Sequence, residues 1–465
     1  MSLTSPSPTS GGVGLARAGP LLAHPARCLA EYRSSGGYDG LQRAVQAHDP
    51  RAVLEAVERA GCRGRGGAAY PTALKWHAAL AHPGPRYVVC NGGEDEPGSL
   101  KDRLLMEEYP HAVLDGALLA AFAVQAARIY LYVNVGFYAS LRALQRAVAE
   151  ARSAGLVGPN AFGAGLDVEV DIIEAPPVYV AGEETAALEV IEGRPPLPRR
   201  KPPYPTEAGV WGRPTVVNNV ETLAVVAAVV RDGPTAYRGL GTPESPGTLL
   251  VTLSGWVERP GVYEVAFGTP MRTIIDTLGG GVRGGKSLRA FSPGGASTAY
   301  LGLDKLDVRL DYADLQAAGS AVGCATIRVV PEGACMVEEL QRFASFFADG
   351  SCHQCGPCQQ GTRKIANVTE EIRLGALDQR PLDTLARLGQ RLRGMGICGL
   401  ITGATFPAAS ALALFPGDFA QHARYGVCPG LGFARPLPHH HAWAPSRTEA
   451  LRRPHLGGVR RSRWY

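Results

Sequence analysis

The chain has no uncharged apolar run long enough to cross a bilayer, which takes about 20 residues. Its longest candidate, Val113 to Val135, is interrupted by Asp115, Gln125 and Arg128. A helical membrane span is therefore not expected. No secretion signal is recognisable, which disfavours disulfides in a chain of 465 residues. The stretch Met1 to Ala30 contains no acidic residue. It is rich in Ser, Pro and Gly and carries Arg17 and Arg27, a composition shared with organelle transit peptides. Without a clear arginine face it reads as a disordered leader over residues 1–31. Positive charge is also missing from the body of the chain. Pro429 to Tyr465 holds seven arginines against Glu449, a net +6 of the chain's total +5, which leaves the remainder at about −1. Residues 428–465, with His439-His440-His441 and the pairs Arg452-Arg453 and Arg460-Arg461, read as a basic disordered tail. Nucleic acid is not an expected partner.

With 45% hydrophobic and 19% charged residues the chain can bury large cores and divide into two to four domains. Its most informative feature is Ser351-Cys352-His353-Gln354-Cys355-Gly356-Pro357-Cys358, with Cys398 some forty residues on. A C-x-x-C-x-x-C turn can place three thiolates around the irons of a cubane, and one distant thiolate can close the fourth corner. Zinc more often uses separated C-x-x-C pairs or closely spaced histidines; His353 keeps it open as an alternative. Disulfides are the other alternative.

Upstream, the helix-like periodicity of Leu41 to Ala60 leads into a glycine-rich loop, Gly61 to Trp76. Gly64, Gly66 and Gly67 let backbone N–H groups approach a phosphate or a flat ring, with Arg65 and Lys75 adding charge. Arg86 to Gly98 reads as a buried strand opening into an acidic loop, and Ser99 to Ala127 as helix before the strand Ile129 to Val133. Strand, helix and strand imply a βαβ unit, with ligands at the carboxyl ends of its strands. Two more runs stand out, Tyr179 to Thr185 and Trp211 to Thr222. Amides such as Asn218 and Asn219 suit the mixed donor and acceptor edge of a flavin, although Asn218-Asn219 also reads as a turn and Glu183-Glu184 as a helix start.

In order and spacing these runs resemble the FMN- and NADH-binding flavoprotein subunit family of respiratory complex I, the 51-kDa subunit family, over roughly residues 32 to 425. The resemblance rests on the glycine loop, Cys90-Asn91 with Glu94 and Glu96-Pro97-Gly98, Lys101-Asp102-Arg103, Gly182-Glu183-Glu184-Thr185, Asn218-Asn219 and the four cysteines. It implies an α/β Rossmann-like FMN/NAD domain (32–245), a ubiquitin-like β-grasp domain of the SLBB type (246–331) and a helical bundle carrying a [4Fe–4S] cluster (332–427). It also implies FMN held by Gly64, Gly66, Gly67, Lys75, Asn91, Tyr179, Glu183, Asn218, Asn219 and Thr222, with Arg65, Glu94 and Gly182 alongside. NAD(H) would meet Tyr70 and Tyr204 at its adenine and Glu96, Glu184 and Lys201 elsewhere. Cluster ligands would be Cys352, Cys355, Cys358 and Cys398, with Leu400 where the bundle meets the flavin, and the remaining cysteines reduced.

The hairpin pattern around Pro260-Gly261, the helix-like Met271 to Leu278 and the loop Ser292 to Ser297 fit the β-grasp expectation. For the bundle, Met336, Val337, Leu340, Phe343 and Phe347 fall on one helix face, and a second helix is expected from Thr362 to Leu374. The chain departs from the family pattern at Gly93, where an acid is usual, and at Asp95, where one is not. It departs also at Ala78, where a third aromatic is usual, at Ala181 in place of cysteine, and across Asn134 to Tyr138, which usually reads Arg-Gly-Glu-Tyr. The function implied is an NADH dehydrogenase subunit, hydride passing to flavin and electrons singly to the cluster and on toward quinone. Expected partners are a thioredoxin-like [2Fe–2S] subunit and a larger iron–sulfur subunit, in the cytoplasm, with membrane contact only through partners. The alternatives are the diaphorase module of a formate dehydrogenase or hydrogenase, and a non-catalytic relay subunit with impaired NADH binding.

Overall fold

The computed structural model describes residues 19–23 and 25–427. The basic tail and the first 18 residues of the expected leader lie outside the described residues. The end of that leader is not free: Leu21 and Leu22 are buried, and their N–H groups donate to the Glu264 carboxylate at 3.0 and 2.9 Å.

The first sheet contains β1 (Arg86–Gly92), β2 (Ala126–Asn134), β3 (Gly158–Ala161), β4 (Leu166–Ala175) and β5 (Thr215–Asn219), in spatial order β3-β4-β2-β1-β5. β4, β2, β1 and β5 are parallel, and β3 is an antiparallel edge. Val88, Val89 and Cys90 are all buried because a parallel sheet is covered on both faces, so its strands read as continuous apolar runs. The chain leaves β1 toward β2 and β4, then returns with β5 on the other side of β1. That reversal opens a crevice between the carboxyl ends of β1 and β5, the place where open α/β sheets bind ligands.

The expected βαβ crossover is present as two helices, Lys101–Glu108 and Pro110–Val124. Pro110 starts the second at a position that needs no N–H donor. This helix contains most of the long apolar run, and it is buried nearly all round because it is a core helix. It packs so closely on the helix Val220–Asp232 that a Cβ on Gly116 would stand 1.8 Å from the Leu223 carbonyl oxygen. The expected helix over 41–60 is two helices, Asp39–Gln46 and Pro50–Ala60. Pro50 disfavours helix at the residue before it, and the Asp49 side chain caps the second helix at the Ala52 N–H, 3.1 Å.

The second sheet holds β6 (Thr248–Gly255), β7 (Gly261–Ala266), β8 (Leu288–Ser292) and β9 (Thr326–Pro331), ordered β7-β6-β9-β8 with β6 and β9 parallel. First and last strands side by side, with a hairpin on β6, make a β-grasp sheet; the helical segment expected at 271–278 is a single wide π-type turn, Thr273–Leu278. The third body is helical: Met336–Asp349, Gly356–Leu374, Arg380–Arg391, Leu400–Leu414 and Pro416–Tyr425 around Leu340, Phe343, Phe347, Ile365 and Ile401. Its second helix starts six residues before the expected Thr362. Pro357, second in the helix, is tolerated in the first turn, where no N–H donor is needed, and Cys358 follows it there.

Candidate functional site

At the crevice, Asn91, one residue from the end of β1, lies directly opposite Asn219 of β5, and Cys90 faces Asn218. Each amide is committed by a hydrogen bond that fixes its direction. Asn218 Oδ1 accepts from Trp76 Nε1 at 2.9 Å, and Asn91 Nδ2 donates to the Gly182 carbonyl at 2.9 Å. Asn219 caps the helix Val220–Asp232 through the Glu221 N–H, 3.0 Å, and its Nδ2 donates to Asp102 at 2.6 Å. The glycine loop closes over this row: Gly64 N–H donates to the Tyr70 carbonyl, and the Arg65 N–H to Thr222 Oγ1 at 2.8 Å. A Cβ on Gly66 would lie 3.4 Å from that of Asn219. Gly67 has φ +109, which side-chain-bearing residues rarely adopt. The loop is thus bare backbone laid beside the strand ends, the surface a flat ring or phosphate needs.

Arg65 itself turns away from the crevice. It is 3% exposed, and its guanidinium donates to the Tyr312 and Tyr237 hydroxyls and the Thr248 carbonyl, over the Phe267 ring. Burial opposes its charge, but Tyr237, Tyr312 and Glu221 hold its pKa above the usual range. The expected cofactor contact is therefore a rivet between the first sheet domain and the β-grasp domain.

The acidic loop after β1 is likewise more inward-facing than its sequence suggests. Glu94 accepts from Ser99 Oγ and from the Arg103 N–H at 3.1 Å, at the start of the helix Lys101–Glu108. Burial, then Asp102, raises its carboxyl to about 7 against the pull of Lys101. Glu96 accepts from the Tyr179 hydroxyl at 3.1 Å and from Ser297 N–H and Oγ at 3.0 and 2.7 Å. Since Tyr179 packs edge-on against Phe346 and Phe347, Glu96 marks the junction of all three domains. Lys101 and Glu221 were not anticipated as site residues. Lys101 is 1% exposed, with Nζ 2.8 Å from Asp102 and 2.9 Å from Glu221. The Lys101-Asp102-Arg103 motif was visible in the sequence without a role. For Glu221 and Trp76 no local pattern signalled one.

On the outer side, Lys75 Nζ lies 3.1 Å from Glu184, which also pairs with Lys201 at 2.6 Å; Lys201 reaches Glu183 at 3.1 Å. Burial would raise the Glu184 carboxyl, but the two lysines bring it below its usual value. Glu183 caps the helix Glu184–Ile191. Tyr70 and Tyr204 are 52% and 51% exposed and precede two helices that pack together, Thr72–Leu80 and Pro205–Ala208. Leu74 is an exposed apolar residue one turn before Ala78 on the same face. A cavity of about 310 Å³ lined by Leu21, Tyr109 and Ala224 contains none of these residues.

All four expected ligand cysteines lie at or beside helix starts. Cys355 immediately precedes Gly356–Leu374 with Cys352 three residues before it, Cys358 is in its first turn, and Cys398 precedes Leu400–Leu414 by two residues. Helix N-termini favour anionic thiolates. Burial first, and then Cys355, Cys398 and Cys352, raise the Cys358 thiol to about 11 against the Ser351 hydrogen bond, which places the four within electrostatic reach of one another. Among the described residues no group of His, Cys, Asp or Glu closes on a single ion, and no cysteine is joined in a disulfide. A cubane gives each thiolate its own iron, so its ligands stand farther apart than those of one zinc with bonds of about 2.3 Å. The thiol set fits a four-iron cluster, and His353 is an exposed loop residue with φ 60. The cysteine loop touches the first domain: Gln354 Nε2 donates to the Pro198 carbonyl at 2.8 Å, and Cys398 lies within electrostatic reach of Glu183. Leu400 is buried within the bundle.

Comparison with known proteins assigns each part. Residues 57–228 match the Nuo51 FMN-binding domain, residues 250–300 the SLBB domain, and residues 338–422 the NADH-ubiquinone oxidoreductase-F iron-sulfur binding region. The chain is 37% identical over 402 residues to the F 2 subunit of NADH-quinone oxidoreductase from Rhizobium meliloti, covering 86% of this chain and 96% of the relative. It is 38% identical to the F subunit of NADH-quinone oxidoreductase from Escherichia coli K12, covering 84% and 88%. For the counterpart from Mycobacterium tuberculosis H37Rv the figures are 39%, 84% and 89%. A crystal structure of an air-oxidised NAD+-reducing [NiFe]-hydrogenase superposes with a TM-score of 0.78 at 33% identity, over 89% of this chain and 69% of that one.

Proposed function

The chain belongs to the F-subunit family of NADH-quinone oxidoreductase, and from that premise we propose that it is the NADH-oxidising flavoprotein subunit of a multi-subunit oxidoreductase. When bound, FMN supplies exchange between two-electron and one-electron steps, and the [4Fe–4S] cluster supplies one-electron relay. The chain's own residues position both. Gly64, Gly66 and Gly67 with Asn91, Asn218, Asn219 and Thr222 would hold the flavin, and Cys352, Cys355, Cys358 and Cys398 the cluster. Lys75 and Lys201 set the charge of the crevice wall by fixing Glu184. Tyr70 and Tyr204 offer aromatic faces for an adenine, and Glu183, Glu184 and Lys201 offer polar contacts to the rest of NADH. No side chain needs to move a proton for the transfer itself, so orientation and water exclusion are what the protein contributes.

The observation that carries this reading is the docking of the cysteine loop and of the helix before it, Met336–Asp349, on the first domain, through Gln354 on the Pro198 carbonyl and through Phe346 and Phe347 against Tyr179. It brings the exit for electrons beside their entry. Further transfer needs partner subunits, a thioredoxin-like [2Fe–2S] protein and a larger iron–sulfur protein. Among the described residues no single helix is long and apolar enough to cross a membrane, so membrane contact would come through the assembled complex on its cytoplasmic face. The structural likeness to an NAD+-reducing hydrogenase favours a second reading, the same module in a hydrogenase.

The test is anaerobic purification with its partners and addition of NADH while flavin absorbance is recorded. Bleaching is expected, and its absence in a flavin-loaded complex would leave only a relay role. Reduction of quinone rather than oxidation of hydrogen by the same preparation would separate the two parent machines.

A further inference from the structure

Lys101 is the first residue of the helix Lys101–Glu108 and is almost wholly buried. A helix N-terminus repels cations and burial strips them of water, so the position opposes the charge it holds. Carboxylates answer it: Nζ lies 2.8 Å from Asp102 and 2.9 Å from Glu221, itself fully buried. Burial pulls the lysine toward neutrality, but Asp102, Glu221 and Glu94 hold its pKa above the usual range. Buried ion pairs are weak evidence of stability, because apolar residues of similar volume often serve as well or better. The place of this cluster in the fold points to another use. It runs from the β-grasp domain to the crevice. Glu221 accepts the Leu250 N–H of β6 at 2.8 Å, Lys101 joins Glu221 to Asp102, and Asp102 accepts from Asn219 Nδ2 at 2.6 Å. Lys101 Nζ also stands 3.4 Å from Asn219 Oδ1. Asn219 is half-buried at the end of β5, beside Gly66.

We propose that Lys101, Asp102 and Glu221 form a buried charge cluster that sets the reduction potential of the flavin held beside Asn219; this rests on the flavoprotein reading above. Two electrons and one proton leave a reduced flavin ring with one negative charge near neutral pH, so fixed charges close by favour or oppose reduction. In a poorly screened interior such charges act over several ångströms. Lys101, the buried cation, favours the reduced form, and Asp102 and Glu221 oppose it. Arg65 also carries positive charge near Glu221, but its guanidinium is turned to Tyr237 and Tyr312. With almost no accessible surface, Lys101 is a positioning residue, acting through Asn219 and through its field.

The test is a potentiometric titration of flavin absorbance in the purified, flavin-loaded complex, with mediator dyes in place of NADH. It is run at pH 8, above the value of about 7 to which Glu94 is raised, so that this neighbour is largely ionised. Asp102→Asn and Glu221→Gln each remove a negative charge and keep an oxygen acceptor for Asn219 or Leu250. At a fixed potential, Asp102→Asn is expected to raise the ratio of reduced to oxidised flavin about 5- to 10-fold, and Glu221→Gln about threefold. Lys101→Met is expected to lower it about 10-fold, about 30 mV for a two-electron couple. A merely structural disturbance would not follow the sign of the charge removed. An unchanged or lowered ratio in either acid variant overturns the proposal, as does a raised ratio in Lys101→Met. The acid variants decide alone if Lys101→Met does not assemble. Flavin lost from Asp102→Asn would make the cluster a means of retention and overturn the proposal too. A wild-type flavin reduced by the dyes but not by NADH overturns the functional reading alone, and a complex that binds no flavin overturns both.

Discussion

Arg65→Met separates a domain rivet from a cofactor contact. The substitution keeps length and apolar bulk but removes the donors to Tyr237 at 2.7 Å, Thr248 carbonyl at 3.0 Å and Tyr312 at 3.1 Å, and the cation over Phe267. A hydrogen bond to a charged group contributes about 1.5–3 kcal/mol and a desolvated cation–π contact about 2 kcal/mol. Relief from burying a guanidinium offsets part of that sum, so the net loss is about 3–5 kcal/mol. For the roughly 300 residues of the two domains joined, an unfolding entropy of about 2.1 cal/mol/K per residue converts this to a fall in apparent Tm of about 5–8 °C. The assay is a thermal scan by circular dichroism, with flavin content measured per folded protein well below the transition. The expected result is a lowered Tm with flavin retained. Flavin lost while Tm is unchanged would show that the guanidinium serves the cofactor, and the assignment to the domain interface would be wrong.

Asp115 gives a pH prediction. It sits in the core helix, bonded to the Tyr32 hydroxyl at 2.9 Å and the Tyr38 N–H at 3.0 Å, and burial raises its carboxyl from 3.8 to about 6. A carboxyl raised on folding binds its proton more tightly in the native state, so its cost is absent below pH 3.8 and grows as pH rises to about 6. Asp115→Asn should remove that slope, making the variant relatively more stable at pH 7 than at pH 5 by an amount on the order of 1–2 kcal/mol in urea unfolding; parallel curves would refute it. At the cluster, Cys398→Ala should abolish the low-temperature EPR signal of the reduced cubane, and an unchanged signal would mean that another residue is the fourth ligand.

The sequence was most legible where function demands unusual residues. Three closely spaced cysteines and a fourth, glycines in one loop and two adjacent asparagines could be singled out from the sequence, and the fold places Asn218 and Asn219 beside the glycine loop at the strand ends and the four cysteines at or beside two helix starts. Secondary structure was legible where periodicity was long, as in β1, the helix Met336–Asp349 and the hairpin of β6 and β7. It failed at boundaries set by proline, where Pro50 divided one expected helix and Pro357 extended another. The crossover strands β4, β5 and β9 gave little local signal because their pairing partners lie far along the chain.

What the sequence determined by itself was therefore the chemistry: which thiols can bind iron, which backbone can lie against a flavin, and which apolar run is too interrupted to span a membrane. Only the tertiary structure decided direction. Arg65 belongs to the glycine loop in sequence, yet its side chain turns to the β-grasp domain, because Tyr237, Tyr312 and the Thr248 carbonyl converge there. Glu96 reads as a nucleotide contact, yet Tyr179 and Ser297 take its oxygens. A residue's type fixes what bonds it can make, but packing of distant segments fixes which partners are present to make them.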